Sequence, residues 1–154
     1  MIHLSFPWAP PSLNNAYENS RGGGRHLSKE ARRFKTETPA YLIQHFRAEM
    51  LFFNDKKDVR LTAMACVMFP ELENETWGKK KDVARYKKLD ATNRVKFLED
   101  ALKEATGTVD DSQFFPFAIH KFQRPAEETH IWVWDPGKEE SPLDELFGQL
   151  LLAS

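Results

Sequence analysis

Residues 90–113 read DATNRVKFLEDALKEATGTVDDSQ, and this stretch decides the fold and the chemistry we expect of the chain. Its apolar residues recur at three- and four-residue spacing, which predicts a helix over residues 92–105 with one face turned to a core. Those residues are Val95, Leu98, Ala101, Leu102 and Ala105. Gly107 suits the left-handed backbone position just past the end of a helix. A buried helix is therefore expected at the centre of the domain.

Side chains that can bind a metal ion or a phosphate flank this helix: Asp90 before it, Asn93, Lys96 and Asp100 near its start, and Asp110 and Asp111 after its end. Spacings of three and four place the middle three on one helix face. Helix N-termini favour anions, and acids from two chain segments beside a fixed cation suit Mg²⁺ bound against a phosphate. Adjacent strand residues point to opposite faces, so one of the last two aspartates should face Asp90, and spacing does not say which.

Each of these residues also has a purely structural interpretation. Asp90 or Thr92 can cap the helix, and two aspartates and a serine shortly after a glycine can form a turn. Asp100 can form an ion pair with Lys96 or Lys103. The joint pattern, more than any one residue, favours a metal and phosphate site.

Composition limits the class of protein. The 154 residues fall within the range of one ordinary domain, and 41% apolar and 12% aromatic content can form a core. There is no apolar run that could cross a bilayer and no secretory signal at the start. The single cysteine, Cys66, excludes an internal disulfide and fits a reducing cytosol. We therefore expect one cytoplasmic domain over residues 1–154.

Net charge is −1, which argues against simple electrostatic coating of nucleic acid. The charges are unevenly distributed, however. Basic residues gather in residues 21–35 and 79–88, whereas acidic residues gather in residues 127–145. Such a chain can present one positive face to DNA, or it can simply carry solvated charged surfaces, and both interpretations stay open.

The elements are expected in the order β-α-β-α-β-β-α: a strand at 2–6, a helix after the cap Ser28, a strand at 60–69, the helix at 92–105, a hairpin of 114–122 with 129–134, and a C-terminal helix within 142–154. Pro39 should kink or divide the first helix. Residues 70–88 have no periodicity and predict a long, mobile, basic loop. The fold class is therefore α+β, a mixed sheet of about four strands with helices packed on it.

A family resemblance adds to this interpretation. The pattern Asp-x-(Asp or Thr)-Asn-x-x-Lys, then Asp-Ala-Leu, then Asp-Asp-Ser-Gln, resembles the RusA family of Holliday junction resolvases. The segment from Pro10 to Asn14, and the segment Gly-Arg-His-Leu-Ser at 24–28, resemble that family's opening loop. The likeness spans residues 2 to about 134. Residues 70–88 and the C-terminal helix have no counterpart in it.

The resemblance implies a RusA-like fold and a homodimer that cleaves four-way DNA junctions in recombination and repair. It also implies a need for Mg²⁺, with Mn²⁺ as an alternative, and a bacterial or phage origin. Asp90 and Asp111 match the catalytic acids, Lys96 the essential lysine and Asn93 the motif asparagine.

The metal ligands implied are Asp90 and Asp111, with Asp110 or Thr92 in or near the coordination shell. The best-known family members have a second aspartate where this chain has Thr92. A hydroxyl is neutral and a weaker ligand, so this site loses one negative charge.

Contacts to the arms of a branched DNA are expected from basic side chains and one histidine: Arg25, His26, Lys79, Lys80, Lys81, Arg85, Lys87 and Lys88. Trp77 has the character of a base-stacking residue, or of a side chain folded onto the core. Two other functions stay open. The chain can be a branched-DNA-binding protein that has lost its metal, or an interaction module whose C-terminal helix docks a replication or recombination partner.

Overall fold

The computed structural model describes residues 1–20, 22–73 and 89–139. The strands are β1 (Ile2–Phe6), β2 (Tyr17–Asn19), β3 (Arg25–Leu27), β4 (Leu61–Phe69), β5 (Phe114–Gln123) and β6 (Glu128–Trp134). The helices are α1 (Lys29–His45), α2 (Arg47–Met50) and α3 (Val95–Thr106), with 3-10 turns at Leu13–Asn15, Leu51–Phe53, Thr92–Arg94 and Asp111–Gln113. The predicted C-terminal helix and most of the predicted loop at 70–88 lie outside the described residues.

The main sheet has the strand order β1-β6-β4-β5 and is mixed. Strand β4 pairs parallel with β5 and antiparallel with β6, and β6 pairs antiparallel with β1. The α+β class with a four-stranded mixed sheet is therefore confirmed. A second, two-stranded sheet of β2 and β3 is additional, because the sequence had indicated only a loop there.

The predicted hairpin of β5 with β6 is wrong, because β4 lies between them. All nine residues of β4 are buried. A central position stabilises such a strand most, because neighbouring strands then form hydrogen bonds along both of its edges. The short link between β5 and β6 passes the end of β4, where the Arg124 amide donates to the Phe69 carbonyl at 3.0 Å.

Helix α1 continues through Pro39 and is interrupted seven residues later than expected, at Phe46 (φ −125°, ψ 37°). Proline removes one helical hydrogen bond, but here it is buried in the helix face that packs on the core. The neighbouring Thr38 is also buried and accepts a hydrogen bond from the Trp8 indole at 2.9 Å. Packing therefore outweighs the local cost. Ser28 caps the helix as predicted, accepting from the Ala31 amide at 3.2 Å.

Helices α1 and α3 pack together and contribute to one core with the sheet. Helix α3 buries Phe97, Leu98, Ala101 and Leu102, and the ring of Phe97 meets that of Phe34 edge to face at 5.8 Å. The sequence pattern had indicated the last three of these four residues but not Phe97. With this face buried, the charged face of α3 is left for the site.

A second cluster of buried side chains comes from alternate residues of the strands: Met64, Cys66, Met68, Trp132 and Trp134. The two tryptophans, two residues apart on β6, therefore pack on the same face of the sheet. Burial raises the pKa of the Cys66 thiol to about 12, so this cysteine stays protonated and unreactive at neutral pH. It acts as a small core residue.

His3 is expected to make the protein less stable at pH 5 than at pH 7.5. Its ring stacks on Trp132 at 4.7 Å, and this partial burial, reinforced by His130, lowers the pKa of His3 below 6.5. The unfolded chain therefore binds the proton more readily, and the free energy of unfolding falls as the pH drops below the unfolded pKa. Urea unfolding at both pH values should show a smaller loss in His3→Gln. The exposed His45→Gln variant should keep the wild-type loss, and an unchanged loss in His3→Gln would contradict the assignment.

Gly107 ends α3 in the left-handed conformation (φ 63°), as the sequence predicted. A Cβ atom there would meet nothing within 4 Å, so Gly107→Ala tests backbone conformation alone. We expect it to lower the free energy of unfolding by about 1–2 kcal/mol, measured by urea unfolding. Gly22→Ala is the matched control, because its added Cβ also meets no neighbour and the backbone there is not left-handed. Equal effects of the two changes would refute this explanation.

Candidate functional site

Asp90 lies two residues before the 3-10 turn that leads into α3, and both of its side-chain oxygens accept hydrogen bonds. Oδ1 accepts from the Thr92 backbone amide at 3.0 Å and from the Thr92 hydroxyl at 2.6 Å. Oδ2 accepts from the side-chain amide of Asn93 at 2.8 Å. The Thr92 hydroxyl in particular lowers the pKa of the Asp90 carboxyl, so Asp90 is ionised at neutral pH. Thr92 and Asn93 thus hold Asp90 in one orientation.

Lys96 is the cation at the centre of a second group. Its Nζ donates to Oδ2 of Asp111, 15 residues along the chain, and lies 2.9 Å from Oδ1 of Asp100. The hydrogen bond to Asp111, followed by that to Asp100, raises the pKa of Lys96 and keeps it charged. The structure therefore brings together two residues, Lys96 and Asp111, that the sequence had placed at opposite ends of the helix.

Asp100 connects this group to the neighbouring helix. Its Oδ2 accepts from Nζ of Lys35 on α1 at 2.9 Å, while Oδ1 faces Lys96. Partial burial alone would raise the pKa of Asp100, but the hydrogen bonds from Lys35 and Lys96 outweigh it and the pKa is lowered. The carboxylate is thus ionised and held from two helices.

Asp110 and Asp111 have different surroundings, although they are adjacent. Asp110 caps the 3-10 turn: its Oδ1 accepts from the amide and hydroxyl of Ser112 at 3.1 and 2.8 Å, and the Gln113 side chain accepts from its backbone amide at 2.7 Å. Lys103 donates to its Oδ2 at 2.6 Å, and this contact in particular lowers the pKa of Asp110. Asp110 therefore fixes the turn that presents Asp111 to Lys96.

Two open cavities are lined by residues of these groups. One, of about 320 Å³, is lined by Lys35, Lys96, Asp100, Lys103 and Asp111 among others. The other, of about 420 Å³, is lined by Asp90 and Arg94 together with Glu30, Glu127 and the polar side chains Ser12, Asn14 and Asn15. The candidate acids Asp90 and Asp111 thus line different cavities.

The donor chemistry of these acids fits a divalent cation, because both offer hard carboxylate oxygens. Within residues 1–20, 22–73 and 89–139, no three His, Cys, Asp or Glu side chains are grouped as they would be around a metal ion. Mg²⁺ does not require such a cage, since it is commonly held by one or two carboxylates, water and substrate phosphates. At Asp111, however, a metal ion must either bind the carboxylate beside the Lys96 ammonium group or displace that group.

Arg25 and His26, predicted to contact DNA, lie on β3 of the small two-stranded sheet and are exposed. The Arg25 guanidinium lies 5.3 Å from the ring centre of Tyr17, and His26 contacts Ser20 at 3.0 Å and Glu18 at 3.5 Å. Their side chains are thus held by the hairpin itself. The other predicted DNA contacts (Lys79, Lys80, Lys81, Arg85, Lys87 and Lys88) and Trp77 lie outside the described residues.

Two residues of the site had no signal that singled them out in the sequence. Arg94 donates to the Pro10 carbonyl and lies 5.0 Å from the ring centre of Phe69, which ties the opening loop to the start of α3. Lys35 is 65 residues from its partner Asp100. The basic segment at 21–35 contains Lys35 but gives no reason to select it.

Comparison with known proteins identifies the family of the chain. The family model described as endodeoxyribonuclease RusA matches residues 7–133, which is most of the chain and includes both acid groups. No curated protein matches the chain. Within the described part of the chain, no helix is long and apolar enough to cross a membrane.

Proposed function

The chain belongs to the RusA family of endodeoxyribonucleases, and from that premise we propose that it resolves four-way DNA junctions by metal-dependent phosphodiester hydrolysis. The supporting observation is the contact of Lys96 with Asp111, which joins a fixed cation to an ionisable oxygen ligand from separate chain segments. The function proposed is in DNA recombination and repair. Thr92 and Asn93 orient Asp90 through hydrogen bonds, and Asp110 fixes the turn that orients Asp111. These contacts support a site built around the two acids.

In the proposed mechanism, Asp90 and Asp111 would hold Mg²⁺, or Mn²⁺ in its place. When bound, the ion supplies Lewis-acid polarisation of a phosphate oxygen and an activated water. Lys96 stabilises the negative charge that develops on the phosphoryl oxygens during attack. Thr92 stands where the best-known family members have a second aspartate, and its hydroxyl orients Asp90 by donating a hydrogen bond to it.

DNA contacts are proposed for Arg25 and His26, and for the lysines and arginine of residues 79–88. Two copies of the chain in a symmetric homodimer would present two sites to two opposed strands, which suits a junction with two-fold symmetry. One site per copy then accounts for paired cleavage.

The deciding experiment incubates the purified protein with a labelled synthetic four-way junction and, separately, with linear duplex of the same sequence. With Mg²⁺ we expect two symmetric cuts in the junction and none in the duplex, and with EDTA we expect binding without cutting. Equal junction binding in both conditions with no cutting would instead identify a non-catalytic branched-DNA-binding protein. The neutral Thr92 and the separate cavities of the two acids are the observations that favour that second function. If the protein bound neither DNA, the remaining alternative would be the interaction module.

A further inference from the structure

The Asp111 carboxylate already contacts the ammonium groups of two lysines of the protein. Lys96 donates to its Oδ2, and Nζ of Lys103 lies 3.5 Å from its Oδ1. A divalent ion that approaches this carboxylate meets two ammonium groups at the oxygens it must bind. Like charges repel strongly at contact distance, so metal binding and the Lys96–Asp111 contact compete.

Asp100 offers Lys96 a second anion without any movement of the backbone. The two residues lie one turn apart on α3, and Nζ of Lys96 is 2.9 Å from Oδ1 of Asp100 at the same time as it contacts Asp111. The side chain of Asp100 is 25% exposed, against 45% for that of Lys96, so it is the more fixed of the two. An ammonium group released by Asp111 therefore keeps a charged partner.

We propose that Asp100 is a positioning residue that retains Lys96 beside the scissile phosphate when Asp111 turns to the metal. This inference rests on the proposed function. It assigns to Asp100 a role through Lys96 and not as a metal ligand. Lysines from two helices, Lys35 and Lys96, contact the two Asp100 oxygens and hold this carboxylate beside Lys96.

The two roles differ in what they predict for metal affinity. If Asp100 draws Lys96 away from Asp111, removing its charge leaves Lys96 entirely on Asp111 and weakens metal binding. If Lys96 is then removed as well, the loss disappears, because Lys96 no longer competes with the metal for Asp111. A metal ligand would behave differently, since its loss weakens binding whether or not Lys96 is present.

The test is calorimetric titration of the full-length protein with Mn²⁺, without DNA, for the wild type, Lys96→Met, Asp100→Asn and the double variant. Lys96→Met should bind Mn²⁺ about threefold to fivefold more tightly, and Asp100→Asn about threefold more weakly. The double variant should match Lys96→Met within about twofold. Lys57→Met is the matched control, because Lys57 is exposed and forms no ion pair with any described residue. It should bind Mn²⁺ like the wild type.

Each outcome bears on the inference. A double variant that stays as weak as Asp100→Asn would identify Asp100 as a ligand and overturn the positioning role. Unchanged affinity in Lys96→Met would overturn the competition while leaving the proposed nuclease function intact. A wild type that binds no Mn²⁺ without DNA would overturn the inference, because no ion would then compete with Lys96 for Asp111, whereas junction cleavage with Mg²⁺ tests the proposed function separately. Circular dichroism of each variant ensures that affinity is compared between folded proteins.

Discussion

Asp111→Asn is expected to reduce the rate of junction cleavage by at least roughly a thousandfold, and to leave junction affinity within a few-fold of the wild type. The amide has nearly the size of the carboxylate but no charge, so it binds a divalent cation far more weakly and forms no ion pair with Lys96. Binding should survive, because DNA affinity arises mainly from basic side chains that this change does not touch. Single-turnover cleavage of a labelled junction with Mg²⁺, and gel-shift titration in EDTA, measure the two quantities separately.

Asp58→Asn is the matched control for this change. Asp58 is exposed and adopts a positive φ of 62°, a conformation that asparagine also tolerates, so the same substitution there should alter neither stability nor cleavage. Wild-type cleavage by Asp111→Asn would refute the assignment of Asp111. Loss of junction binding together with cleavage would show that Asp111 acts in substrate binding.

Leu98→Ala is expected to lower the free energy of unfolding by about 2–5 kcal/mol, because it removes a fully buried side chain and leaves a cavity. Leu98 lies on the face of α3 that packs into the core, opposite the face that carries Lys96 and Asp100. The midpoint of thermal unfolding should fall by about 5–20 °C. Urea unfolding followed by tryptophan fluorescence gives the free energy directly.

The control is Leu51→Ala, because the side chain of Leu51 is 64% exposed and its truncation leaves no internal cavity. That variant should stay within about 0.5 kcal/mol of the wild type. A loss of less than about 1 kcal/mol for Leu98→Ala would mean that α3 does not pack as described.

Local patterns predicted the fold well wherever the structure depends on neighbours in sequence. Helix α3, the strands β1 and β4, the cap at Ser28 and the glycine at the end of α3 all follow from spacing or backbone preference. The pairing of strands does not follow in this way. Strands β5 and β6 are adjacent in the chain, but the long apolar β4 competes for both of them, and that competition is a property of the assembled sheet.

The candidate site divides along the same line. The pair of Lys96 with Asp100 is a contact between successive helical turns, which spacing predicts. The contact of Lys96 with Asp111, and not with Asp110, depends on how the 3-10 turn orients two adjacent carboxylates, and the alternation of strand residues could not predict it. Lys35 reaches Asp100 from another helix, so its contribution follows from the packing of α1 against α3 and from no local pattern.

The strand order has a consequence for how the chain is made. Among the described strands of the main sheet, β1 pairs with β6 alone, so β1 is synthesised well before its partner and stays unpaired until β6 is made. Until residues 128–134 emerge, β4 also has one bare edge, and exposed edges invite pairing with other chains. During synthesis, β1 and β4 therefore both lack a partner strand on an edge that the finished sheet pairs. The emergence of β6 provides the partner for both edges at once.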